Sequence, residues 1–154
     1  MFINLKRLLI KRNKQKGKKI IVFTNGCFDI LHVGHIKHLK EMKKLGDILI
    51  IGLNSDDSIK RIKGGCRPLN NQRDRAFALS ELKSVDYVVL FKEDAPENII
   101  AKIMPDILVK GSDYSNKYIA GKKIVIENGG RVVLLPYDKK YSDTKLIKKI
   151  KKEC

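Results

Sequence analysis

No apolar run in this 154-residue chain approaches the roughly 18 residues that a bilayer span requires, so no membrane association is expected. Leu8-Leu9-Ile10 is too short for a secretory leader and has bases on both sides. Cys27, Cys66 and Cys154 are an odd set without framework spacing, which fits a reducing, cytoplasmic setting and not a disulfide scaffold. There is no P-loop pattern, no G-x-G-x-x-G and no internal repeat, which argues against a kinase-type NTPase and a dinucleotide dehydrogenase. Nor does any linker-like stretch divide the chain, and 43% hydrophobic content fits one packed domain over 1–154.

Acidic residues are also few: 17 against 33 Lys and Arg, a net charge of +16. The excess sits at the ends, in a basic N-terminal helix region (1–19) and a C-terminal helix (142–152). Most of these bases are Lys, and aromatics do not alternate with them as a stacking surface for nucleic acid would require. A solvated surface whose field attracts anionic substrates explains them without a nucleic-acid partner.

The informative stretch begins at Ile20-Ile21-Val22-Phe23, a β-branched apolar run of the kind buried on both faces of a sheet. It stops at Thr24-Asn25-Gly26. Helical periodicity starts near Val33 and runs through Ile36, Leu39 and Met42 to Gly46. A buried strand, a small-residue turn and a helix start leave free backbone N–H groups facing an anion. His32 and His35, three apart, would share one face of the first helical turn. Gly34 between them would let a bulky anion approach the backbone.

The rest of the chain repeats the alternation. A short amphipathic helix is expected over 3–15, and strands over Asp47–Leu53, Asp86–Phe91, Asp106–Val109 and Arg131–Leu135. Helices are expected between them, one capped by Ser55 or Asp56, one by Asn70 or Asn71, one opening at Pro96, one over Lys122–Asn128 and a last one near Ser142. The glycines of Lys63–Pro68 mark a loop. This is a Rossmann-like, doubly wound α/β domain with five parallel strands, whose ligands bind at the carboxyl ends of the strands.

With those residues in view, His32-Val33-Gly34-His35 after Gly26-Cys27-Phe28-Asp29 resembles the HxGH signature of the nucleotidylyltransferases, which join a nucleoside monophosphate to a phosphorylated small molecule. Val85–Phe91, Leu108–Tyr114, Gly129–Pro136 and Tyr141–Thr144 are similar to the heptose 1-phosphate adenylyltransferase family, which makes ADP-heptose for bacterial surface polysaccharide. The resemblance covers nearly the whole chain and, with no kinase domain beside it, implies the stand-alone form. The chain departs from the family at Gly64-Gly65-Cys66, where Gly-Pro-Gly is usual, at Ser112, where a glycine is usual, and at Asp143, where a threonine is usual. A carboxylate at Asp143 would oppose an anion unless it points away.

What the resemblance implies is attack by a sugar 1-phosphate on the α-phosphorus of ATP, with Mg2+ carried mainly by the phosphates and water. His32 and His35 would donate to the triphosphate, and Lys37 would reach the same anions. Backbone N–H groups around Gly26, Cys27 and Phe28, and those at Ser142 and Thr144, would hold the nucleotide's phosphates, with Thr24 and Asn25 also nucleotide-binding and Lys110, Gly111 and Asp113 on the adenosine side. Lys63, Arg67 and Arg75 would take the sugar phosphate or the pyrophosphate. No resident metal is expected, although His32, His35 and Cys27 could in principle bind zinc. Duller roles stay open: the histidines as helix caps, His38 as a surface residue, Arg75 as a carboxylate partner, Asp29 as a loop organiser. The expected partners are ATP and a sugar 1-phosphate, and a homo-oligomer is allowed. Rival readings are a glycerol 3-phosphate cytidylyltransferase or FAD synthetase of the same superfamily, a nucleic-acid module, and a regulatory nucleotide binder.

Overall fold

The computed structural model describes residues 1–112, 118–136 and 140–153. Its order is α1 (Leu5–Gln15), β1 (Ile21–Gly26), α2 (Val33–Lys43), β2 (Ile48–Asn54), α3 (Asp56–Lys63), α4 (Gln72–Ser80), β3 (Tyr87–Phe91), α5 (Glu97–Ile103), β4 (Ile107–Gly111), α6 (Lys122–Glu127), β5 (Arg131–Leu135) and α7 (Asp143–Glu153). The five strands form one parallel sheet in the order β3-β2-β1-β4-β5.

Strand alternation divides the core into two layers. Ile21, Phe23, Ile48 and Ile50 pack with residues of α1, α5 and α6 on one face. Val22, Leu49, Ile51 and Leu53 pack with Leu39 and Met42 of α2 and Ala76 and Leu79 of α4 on the other. Because both faces are covered, β2 is buried along its whole length, which is why it reads as an uninterrupted apolar run.

The caps follow the sequence. Ser55 accepts from Ser58 N–H to start α3, and Asn71 accepts from Arg73 and Asp74 N–H to start α4. The expected N-terminal helix is shorter than 3–15, because residues 1–3 do something else. Ile3 N–H donates to Val88 O and Val88 N–H to Met1 O, so these residues lie along the edge of β3. Arg12, buried on α1, donates to Met104 O at 2.9 Å, where its cation meets the C-terminus of α5.

The topology opens a crevice where strand order reverses. β1 pairs with β2 at six positions but with β4 only at Val22↔Ile107 and Phe23↔Leu108. Beyond Phe23 the two strands part, and side chains bridge the gap: Thr24 Oγ1 donates to Val109 O at 3.1 Å, and Lys110 Nζ donates to Asn25 Oδ1. Such a parting is where sheets of this class bind ligands.

Candidate active site

The crevice is a cleft of about 290 Å³ lined by Thr24–Phe28 of the β1–α2 loop, His35, His38, Leu39 and Met42 of α2, Lys63, Lys110, Gly111 and Asp143. Nine of the residues expected from sequence therefore meet here: Thr24, Asn25, Gly26, Cys27, Phe28, His35, Lys63, Lys110 and Gly111. The loop turns sharply, with Phe28 at a φ of 46°, and a Cβ on Gly26 would come within 2.9 Å of the Phe28 ring. Burial raises the Cys27 thiol's pKa, with Lys63 and Arg75 opposing the shift, so Cys27 is a packed thiol and not a thiolate.

The two histidines start α2. His32 is the N-cap, its Nδ1 accepting from His35 N–H at 3.3 Å. The two rings stack with centroids 3.8 Å apart and planes 13° from parallel. Phe28 tilts against His35 at 5.1 Å. Burial, and then the neighbouring His32, push the His35 pKa down to about 4, against a smaller upward pull from Asp143. At neutral pH His35 is thus an uncharged imidazole, able to donate one N–H without carrying a cation into the helix N-terminus.

Several sequence expectations need correction. Gly34 does not leave room for an anion; a Cβ there would lie 2.7 Å from Tyr141 Cβ, so the space belongs to the segment before α7. Arg75 is not a free phosphate ligand. It is 2% exposed, and its guanidinium donates to Asn70 O, Cys27 O, Asn54 O and Asp56 Oδ1 at 2.6–2.9 Å, fixing the cleft from below. Lys37 is exposed and lies 5.9 Å over the Tyr141 ring, outside the cleft lining. Ser142 Oγ accepts from Lys145 N–H at the start of α7, and neither Ser142 nor Thr144 is among the residues lining the cleft. Asp113 lies outside the described residues.

His32 and Arg67 do not line the cleft but touch Asp143, which does, and His32 faces a neighbouring pocket with Tyr141 and Ser142. Asp143 does not point away: its Oδ1 lies 3.4 Å from His32 Nε2 and its Oδ2 3.6 Å from Arg67 Nη2. Arg67 also forms a 2.6 Å ion pair with Asp29. Asp29, fully buried, accepts from Leu69 and Asn70 N–H and so pulls the 67–70 loop against the cleft, as a loop organiser.

His38, read from sequence as a surface residue, lines the cleft. Its position one helical turn after His35 was the available signal. His32, His35 and Asp143 each present a possible metal-binding atom within 4.8 Å of the others. However, His32 Nδ1 is an acceptor, so the ring's proton sits on Nε2, facing Asp143, and leaves a metal no lone pair there. The orientation is that of a donor to an oxyanion. No helix among the described residues is long and apolar enough to cross a membrane.

Comparison with known proteins extends this picture. The sequence pattern of the family described as Cytidylyltransferase-like matches residues 23–149. "Bifunctional protein HldE" of Campylobacter concisus (strain 13826) is 57% identical over 137 residues, 89% of this chain and 28% of that protein. The protein of the same name from Helicobacter pylori (strain ATCC 700392 / 26695) is 49% identical over 152 residues, 99% of this chain and 31% of its own. The chain thus spans about three-tenths of the length of these curated relatives. A solved lipopolysaccharide core biosynthesis protein from Thermoplasma volcanium GSS1 is 35% identical with a TM-score of 0.63, covering 80% of this chain and 99% of that one. Pantoate-beta-alanine ligase from Francisella tularensis, 14% identical with a TM-score of 0.61 over 98% of this chain and 77% of its own, shares the fold. The family's pattern starts within β1, takes in the histidine pair and ends within α7, and on that match the chain belongs to the cytidylyltransferase-like family.

Proposed function

We propose that this protein transfers AMP from ATP to D-glycero-D-manno-heptose 1-phosphate, giving ADP-heptose and pyrophosphate for bacterial surface polysaccharide. The observation that carries the nucleotidyl-transfer reading is the stacked His32–His35 pair at the crevice between β1 and β4, beside Lys63 and Lys110. The heptose reading is supported by the similarity of the Leu108–Tyr114, Gly129–Pro136 and Tyr141–Thr144 segments to that enzyme family. Likeness to a lipopolysaccharide core biosynthesis protein points the same way. The free thiols of Cys27 and Cys66 fit work in a reducing cytoplasm.

In this reading a sugar phosphate oxygen attacks the α-phosphorus, a new P–O bond forms, and the bond to the β-phosphate breaks with its electron pair leaving on pyrophosphate. The nucleophile is already ionised at neutral pH, so no general base is needed. What the protein must supply is positioning and compensation for two polyanions. Neutral His35 donates to the phosphoryl oxygens, while Lys63 and Lys110 supply positive charge. The backbone N–H groups of the Gly26–Phe28 turn orient the triphosphate.

Asp143 is the one carboxylate among the described residues lining the cleft, and it is engaged with His32 and Arg67. The side chains therefore fit a Mg2+ that arrives on the triphosphate, held by phosphate oxygens and water. When bound it would neutralise phosphate charge. A pyrophosphate-release screen crossing the common nucleoside triphosphates with heptose 1-phosphates, glycerol 3-phosphate and FMN tests the reading. Release is expected with ATP and a heptose 1-phosphate; release only with CTP and glycerol 3-phosphate, only with FMN, or with no pair would reject it.

A further inference from the structure

We propose that the Asp143 carboxylate occupies the position of a substrate phosphate, and that phosphate binds by displacing it from His32 and Arg67. This rests on the nucleotidyl-transfer reading above and adds an affinity-setting residue to it.

Three observations converge. First, the contacts around Asp143 fall short of hydrogen bonds: at 3.4 and 3.6 Å they leave His32 Nε2, Arg67 Nη2 and Asp143 Oδ1 buried and unsatisfied. Buried donors held around an anion at such distances are an incomplete site, and a tetrahedral phosphate carries more oxygens than a carboxylate to fill it. Second, His32 has only one N–H to give. Its Nδ1 already accepts from His35 N–H, so Nε2–H is its sole donor, and that donor faces Asp143. A phosphate and the carboxylate must compete for the same proton. Third, Asp143 lines the cleft and is in contact with both His32 and Arg67, neither of which lines it.

The helix that carries the residue can stay in place while the side chain moves. At 9% exposure, Asp143 is the one buried side chain among those described in α7. Tyr141, packed against Gly34 and the His32 ring, holds the helix start in place, so the Asp143 side chain can give way to an incoming anion without releasing the helix.

Asp143→Asn keeps the shape and removes the charge, and Asp143→Thr removes the carboxylate altogether. Calorimetric titration with inorganic pyrophosphate, on variants whose circular dichroism matches the wild type, should show binding about tenfold tighter in both, the scale of one like charge removed at close range. KM for the anionic substrates should fall in parallel. General damage to the helix would weaken binding, so tightening separates displacement from a structural role. Unchanged or weaker pyrophosphate binding in both folded variants, with a wild type that binds pyrophosphate and turns over substrate, would overturn this proposal alone. A wild type that binds neither pyrophosphate nor ATP would overturn it together with the function.

Discussion

Two arginines on either side of the β1–α2 loop behave in opposite ways. Below the cleft, the Arg75 guanidinium is spent: its four donations at 2.6–2.9 Å tie the ends of β1 and β2 to the loop before α4 and to the first residue of α3. Above it, Arg67 has one close partner, Asp29, and one distant one, Asp143, and its Nη2 makes no hydrogen bond. Both side chains are largely buried, so exposure does not separate them. Satisfaction does. A buried group whose hydrogen bonds are complete is architecture, whereas one left incomplete at a cleft is available to a ligand.

The largest consequence of that contrast is at Arg75. Arg75→Ala should cost about 3–5 kcal/mol of unfolding free energy, because it strands Asp56 and three carbonyl groups without their donor. Chemical denaturation measures this, and a loss below about 1 kcal/mol would erase the distinction between the two arginines.

Next in size is the energetic cost of the incomplete upper region, which acid should expose. The His35 pKa lies near 4 in the folded chain against 6.5 for a free imidazole. As pH falls below 6.5 the unfolded chain takes up a proton that the folded one refuses, so stability present above that pH is lost down to about 4. The loss is on the order of 2–3 kcal/mol, discounted for partial exposure. Urea unfolding at a series of pH values should show this slope, and His35→Gln should flatten it; an unaltered slope in the variant would assign the titration elsewhere.

The smallest effect belongs to Arg67→Lys, which keeps the charge but loses the planar fork. KM for the phosphorylated substrates should rise about tenfold, with a smaller loss of stability than Arg75→Ala causes. Steady-state kinetics beside a melting curve checks both halves. A variant that unfolds like Arg75→Ala would make Arg67 architecture too.

The same division explains what could be read from sequence. The central strands were legible because a sheet covered on both faces requires runs such as Ile48–Leu53, the edge strand Arg131–Leu135 was legible by its apolar run alone, and the helix starts carry their caps in Ser55 and Asn71. The floor of the cleft was equally legible, since Thr24–Phe28 and His35 follow locally from a strand, a turn and a helix. What escaped depends on partners distant in sequence. Gly34 is explained by Tyr141, Arg75 by Cys27 and Asn54, and the pairing of residues 1–3 by Val88. Neither periodicity nor spacing can tell which of two arginines, eight positions apart, finds a full set of acceptors once the chain is folded.

In the proposed reaction a neutral His35, held at the crevice by Phe28 and His32, donates to the phosphoryl group during nucleotidyl transfer. The most direct measurement is the turnover of His35→Ala with ATP and heptose 1-phosphate, on protein shown to be folded and to bind ATP. The expected result is a fall of about 100-fold or more, the scale of one lost transition-state donor. Turnover within a few-fold of the wild type would contradict it.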